Sequence, residues 1–417
     1  MRVLIVNTSE SIGGAAVAAN RLMNALNKNG VKAKMLVMHK QTKSICVATA
    51  GTHFRNKINF LYERFIIWIN NLFQRKNLFT VSIANTGIDI TKTMEFKEAD
   101  VIHLQWINQG MLSLKDLRKI IKSGKHIVWT MHDMWECTGI CHHAFGCENY
   151  KNGCGNCSFL RFPGNHDLSS SVFNKKQKIL KNSNIKFVAV SNWLANIAGE
   201  SPLMFGHPIS VIPNSISLSK FVLKDRASSR EKLSLPDKYI IAFGAARLDA
   251  PIKGLNYLCD AISYIVNNGM IQQDELHLVL FGGLKDSNIL KAIPIKYTYL
   301  GRVKNEEDLS TVYSAANVAV SSSLYETFGQ TLIEAQACGC IPVSFNNSGQ
   351  TDIIKHKENG YLADYLSVES LAKGIEWAMK TDVNRSQLRE HVIRMYSENV
   401  VAAKYIDLYC NSLGVKA

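Results

Sequence analysis

Two glutamates eight residues apart, Glu326 and Glu334, bracket the turn Phe328-Gly329-Gln330-Thr331. An ionised carboxylate only accepts hydrogen bonds, which suits it to sugar hydroxyls. A helix predicted from Gln330 would aim its first amides at an anion, and Gly329 lets a ligand approach the backbone closely. A phosphate with a sugar on either side fits that layout. Arg247 and Lys253 form a second group ahead of a helix predicted from Leu255, where two cations and free amides could hold a diphosphate. Gly13-Gly14 closes a loop after an apolar strand, but without the G-x-G-x-x-G spacing of a dinucleotide fingerprint. His132-Asp133 ends another apolar run. Five cysteines crowd residues 137–157 together with His142 and His143. Cys154 and Cys157 have the C-x2-C bite of a zinc knuckle, and Cys141 and Cys147 could complete a tetrahedral structural zinc site. Reduced, packed thiols and labile disulfides are the alternatives.

The elements that would position these groups alternate between short apolar strands and amphipathic helices. Strands are predicted at 2–6, 101–105, 127–131, 186–191, 239–244, 276–281, 297–300 and 318–321, with another from Ile341. Helices follow at 15–28, 255 onward, 306–316, 330 onward, 368–379 and from about Ser386 to the end, with Gly30 and Gly339 as stops. Each polar group above falls at the carboxyl end of a strand, where open α/β sheets bind ligands. Asn359-Gly360 reads as a hairpin-like turn. The 417 residues exceed what one core organises, so two Rossmann-like α/β units are expected, joined near Val211-Ile212-Pro213-Asn214.

Glu326 to Glu334 with the intervening Phe-Gly resembles the Glu-x7-Glu motif of retaining glycosyltransferases of family 4. The resemblance implies a GT-B fold: two doubly wound, parallel-sheet domains facing a cleft. It implies an acceptor-side domain over 1–207, a nucleotide-sugar-binding domain over 208–395, and a last segment, 396–417, that crosses back to the first. In that family the first Glu contacts the donor sugar and the second the ribose; His132 resembles the histidine that also touches the sugar. Gly13-Gly14 resembles the loop that meets the donor diphosphate, Arg247 and Lys253 the Arg-x5-Lys pair, and Gly301-Arg302-Val303 the loop that receives the base. The implied donor-binding set is thus Gly13, Gly14, Arg247, Lys253, Arg302, Phe328, Gly329, Gln330, Thr331 and Glu334, with Glu326 and His132 catalytic.

No Asp-x-Asp occurs in the chain, so cations and helix N-termini are expected to stabilise the leaving phosphate without a metal cofactor. The formal charge of +14 favours anionic partners, yet no nucleic-acid-binding motif accompanies it, so no nucleic-acid partner is expected. No apolar run approaches a membrane span and the first residues enter a strand, which points to the cytoplasm. Residues 54–79 set apolar side chains at helical spacing among Arg55, Lys57, Arg64, Arg75 and Lys76: either a helix packed on the core or one at the inner face of the membrane. The family setting is transfer to a glycan or lipid-linked acceptor in bacterial cell-surface polysaccharide or lipopolysaccharide synthesis. Competing readings are a nucleotide-sugar epimerase or sugar phosphorylase of the same fold, and a zinc-bearing adaptor for anionic partners.

Overall fold

The computed structural model describes residues 1–303 and 305–414. Contacts divide the chain into two compact units: Met1–Ser215 together with the chain from Val401 on, and Ile216–Val400. The division falls later than His207, because the short strand Ile209–Val211 pairs with Lys186–Ala189 and so belongs to the first sheet.

That first sheet has seven strands: β1 (Arg2–Ser9), β2 (Lys32–His39), β3 (Val47–Thr49), β4 (Val101–Leu104), β5 (His126–Met131), β6 (Lys186–Ala189) and β7 (Ile209–Val211). Their order is β3-β2-β1-β4-β5-β6-β7 and every pairing is parallel. Val3 to Val6 are all buried, as a strand covered on both faces requires. The helix Gly14–Lys28 starts at Gly13, whose φ of 95° favours glycine, and buries Ala19, Leu22 and Leu26 against the sheet. The final helix, Glu398–Leu413, places Val401, Ala402, Tyr405 and Tyr409 in the same core.

The second sheet comprises β8 (Tyr239–Arg247), β9 (Leu276–Gly283), β10 (Tyr297–Tyr299), β11 (Val318–Ser321), β12 (Ile341–Phe345) and β13 (Tyr361–Ala363). The order is β10-β9-β8-β11-β12-β13, again all parallel. The chain does turn over residues 357–359, between the bridge partners His356 and Gly360, but the bridge is parallel and the chain then enters β13, parallel to β12, so the turn joins no antiparallel strand pair. The helix predicted from Ser386 to the end is two helices, Arg385–Tyr396 and Glu398–Leu413, separated at Ser397, where ψ of 153° leaves the helical region. No helix among the described residues is long and apolar enough to cross a membrane.

In each sheet the order reverses once, between β1 and β4 in the first and between β8 and β11 in the second. Those two places are the crevices in which open α/β sheets hold ligands.

Candidate functional site

At the reversal in the second sheet, the loops leaving β8 and β11 are strapped together. Ser322 Oγ donates to the Gly254 carbonyl at 2.8 Å, and the Leu324 amide to the Ile252 carbonyl at 2.8 Å. Gly254 has φ of 68°, and a Cβ there would stand 2.0 Å from the Ser322 carbonyl oxygen. Only glycine permits this approach. It ends the 3-10 turn Pro251–Lys253 and starts the helix Leu255–Asn267, so Lys253 is fixed at the helix entrance.

The strap brings the two predicted groups into contact. Lys253 Nζ lies 2.7 Å from Glu326 Oε2, an ion pair with both partners half-buried and 73 residues apart in sequence. The Glu326 backbone is held in turn: its amide donates to Ser348 Oγ at 3.0 Å, and its carbonyl accepts from the Gly349 amide at 2.8 Å. A Cβ on Gly349 would meet the Thr327 carbonyl at 2.1 Å, so this brace also needs glycine. Gln350, fully buried, accepts from Ser321 Oγ at 3.0 Å and from Ser344 Oγ, tying the ends of β11 and β12 to the same turn.

Arg247, at the end of β8, is exposed and paired with Asp249: Nη2 to Oδ2 is 2.8 Å and Nε to Oδ1 3.2 Å. The bidentate contact raises the guanidinium pKa above its ordinary value and lowers that of the carboxylate. Asp249 aims the arginine and was missed from sequence, although its position two residues on is the available signal. Arg302 is exposed beside β9, where a Cβ on Gly283 would stand 2.8 Å from its Nε. Gly329, with φ of 104°, caps the helix Gln330–Ala337; Gln330 and Thr331 are half-buried in its first turn, and Glu334 is buried one turn in. Phe328 departs from the expected donor contact. Its ring is buried, edge-on to Tyr396 with centroids 5.9 Å apart, so it anchors the loop from below.

In the first unit, Gly13 ends the loop after β1 and Gly14 opens the 14–28 helix, with nothing within 4 Å of where a Cβ would stand on either. His132, just past β5, is half-buried; its Nε2 is 2.6 Å from Gln105 Oε1. Gln105 Nε2 reaches His103 Nε2 at 2.8 Å, and His103 Nδ1 reaches Tyr409 OH on the final helix at 2.6 Å. A buried relay thus runs from His132 to the C-terminal helix. Burial holds the His132 pKa at about 4 and the His103 pKa at about 3, so both rings are neutral near pH 7. In the neutral His132 ring, donation from Nε2 to the amide oxygen leaves Nδ1 as an acceptor.

Asp133 turns away from that relay. It accepts from Trp106 Nε1 and from His142 Nδ1, both at 2.8 Å, and from the Trp135 amide at 2.8 Å. Burial alone would raise its pKa, but His142, His143 and the Trp135 amide outweigh burial and hold it at about 2. His142 spends its other nitrogen on Ser82 Oγ at 3.0 Å, leaving neither for a metal. Cys141, Cys147, Cys154 and Cys157 do converge, lining one cavity of about 20 Å³, and all are free thiols. Among the described residues, however, no three His, Cys, Asp or Glu side chains are placed to hold a metal ion, so the zinc expectation gains no support. Burial pushes Cys141 up to about 12 and Cys154 to about 11, which keeps them as neutral thiols.

Comparison with known proteins gives the fold and family. The model for glycosyl transferases group 1 matches residues 225–395, and that for Glycosyltransferase Family 4 matches residues 12–220. Sucrose-phosphate synthase of Thermosynechococcus elongatus superposes with a TM-score of 0.69 over 99% of both chains at 19% identity. WaaG, a glycosyltransferase of lipopolysaccharide biosynthesis, gives 0.62 over 98% of this chain and 99% of its own at 12% identity. An uncharacterised glycosyltransferase of Methanocaldococcus jannaschii is 26% identical over 48% of this chain and 53% of its own; the chain spans about half the length of such relatives. The putative colanic acid glycosyltransferase WcaC of Escherichia coli K12 is 23% identical over 75% of each chain. The chain has the two Rossmann-like units of the GT-B fold, and it belongs to Glycosyltransferase Family 4.

Proposed function

We propose that the chain moves a sugar from a nucleotide-diphosphate sugar to a glycan or lipid-linked acceptor, with retention of configuration and without a metal ion. The observation that carries this reading is the Lys253–Glu326 pair at the reversal point of the second sheet. A cation and a carboxylate held together there are poised to separate: Lys253 to the donor phosphate, Glu326 to the sugar. Arg247 supports the same phosphate, and the helix entrance at Leu255 adds its amides. Glu334 takes the ribose hydroxyls, and Arg302 lies by the base.

In the proposed step the bond from the sugar's anomeric carbon to the donor phosphate oxygen breaks as the bond to the acceptor oxygen forms on the same face. The acceptor proton passes to the departing phosphate oxygen. Glu326 stabilises the positive charge that develops at the ring.

Relatives favour a uridine nucleotide. Anabaena HepE has been solved with UDP-glucose, and an Escherichia coli relative is named as a UDP-Gal:α-D-GlcNAc-diphosphoundecaprenol galactosyltransferase. Colanic acid and lipopolysaccharide core synthesis in the names of WcaC and Rhizobium meliloti LpsE support a cell-surface glycan as product. The test is Glu326→Gln assayed with UDP-sugars. Transfer should fall by roughly 100-fold or more, the scale of losing one transition-state stabilising group, while UDP still raises the melting temperature. Unchanged turnover would refute the role of Glu326. A rate that collapses on adding chelator would refute metal independence.

A further inference from the structure

The helix His53–Asn70 is built inside out. Its inward face is polar: Asn56 donates to the Met38 and Ala50 carbonyls at 3.1 and 2.9 Å, and Glu63 accepts from the Ile83 and Ala84 amides, both at 2.9 Å. Arg64 pairs with Glu63 at 3.0 Å and donates to the Val81 carbonyl at 3.0 Å. These groups are buried and hydrogen-bonded to backbone from outside the helix, so they fix its rotation about its axis. What is left outward is apolar. Phe54, Ile58, Leu61, Tyr62, Phe65 and Ile69 recur at spacings of four, three, one, three and four, one stripe of a helix, and all are exposed, Phe54 by 74%. Leu72, Phe73 and Phe79 extend the patch, and a groove of about 530 Å³ runs along it beside Trp68.

An ordinary surface helix does the reverse, turning its apolar stripe to the core. A contiguous patch of this size marks a contact surface. Its charge says with what. The exposed ions of residues 53–79 are Arg55, Lys57, Arg75 and Lys76; the one carboxylate in that stretch is Glu63, which is buried and already paired. Face-to-face pairing with a second copy would bring two such cationic rims together. An anionic surface with an apolar interior suits both features at once.

We propose that this face docks on an anionic lipid bilayer, with the 53–70 helix lying in the plane of the headgroups, its aromatic stripe among the acyl chains and the four cations at the phosphates. Each cation near such a surface adds roughly five-fold to partitioning, and the stripe supplies the part that salt does not screen. The proposal is independent of the donor and of the transfer chemistry, since it is tested with no substrate present.

The full chain is mixed with phosphatidylglycerol vesicles or phosphatidylcholine vesicles and sedimented. Wild type should partition to the anionic vesicles, weakly to the zwitterionic ones, and retain part of its binding at high salt. The variant Phe54→Ser/Leu61→Ser/Phe65→Ser, altered only at exposed positions and so expected to melt like wild type, should lose at least about ten-fold in partitioning. Arg55→Glu/Lys57→Glu should abolish the preference for phosphatidylglycerol. Absence of wild-type binding at low salt, or unaltered binding by the triple serine variant, would overturn the proposal. So would a dimer in solution that the triple variant converts to monomer, which would assign the face to a second copy.

Discussion

At the scale of single residues, the site consists of charged groups held by partners that a ligand can replace or that merely aim them. Arg247 is aimed by Asp249. Asp249→Asn should weaken donor binding about three- to ten-fold, and Arg247→Ala about ten- to a hundred-fold, read as KM for the nucleotide sugar. The two neutral histidines set a pH limit. Their folded-state pKa values, about 3 for His103 and about 4 for His132, lie below the ordinary 6.5. Below pH 6.5 the unfolded chain therefore binds protons that the folded chain refuses, and stability falls as pH drops from 6.5 towards 4; above 6.5 these groups contribute nothing. The slope is up to about 1.4 kcal/mol per pH unit for each proton. Melting temperature across pH 7.5 to 5 checks this, and a flat profile would contradict it. Glu326, Lys253 and His132 could be singled out from sequence because each follows an apolar strand. What partners them could not: Gln105 and Ser348 are ordinary polar residues until the fold brings them beside His132 and Glu326.

At the scale of elements, the strand–loop–helix rhythm was readable because parallel strands buried on both faces are short apolar runs bounded by glycine and polar residues. The strands β2, β3 and β13 were not identified. β2 alternates lysines with apolar residues at its start, and β3 and β13 have three residues each, too few for a period to show. Cysteine spacing alone does not reveal how four thiols will be placed, nor that His142 is committed to Asp133 and Ser82. Likewise the hydrophobic periodicity of residues 54–79 gives a helix but not which side faces out; that is set by where Asn56, Glu63 and Arg64 find backbone partners. A demanding joint at the candidate site is Gly254, where a Cβ meets a carbonyl at 2.0 Å and φ is positive. Gly254→Ala should cost about 2–4 kcal/mol, from left-handed strain plus displacement of the β11 loop. It should also uncouple Lys253 from Glu326. A melting temperature within a degree or two of wild type would count against that strap.

At the scale of the whole molecule, the chain leaves the first unit at Ser215, builds the second, and returns at Val401. Val401, Ala402, Tyr405 and Tyr409 complete the core over β1 and the 14–28 helix, and Tyr409 satisfies His103. A chain ending at Val400 should therefore lose the first unit, appearing as protease sensitivity within residues 1–215, while 216–400 survives as a compact fragment. Tyr409→Phe, which removes only the hydroxyl from His103, should cost about 1–3 kcal/mol. The returning helix also fixes an order of events during synthesis. The amino-terminal half leaves the ribosome first, yet its core waits for Tyr405 and Tyr409, which are made only after the whole second unit. The half made second can thus finish folding before the half made first, whose sheet meanwhile lacks the helix that covers it.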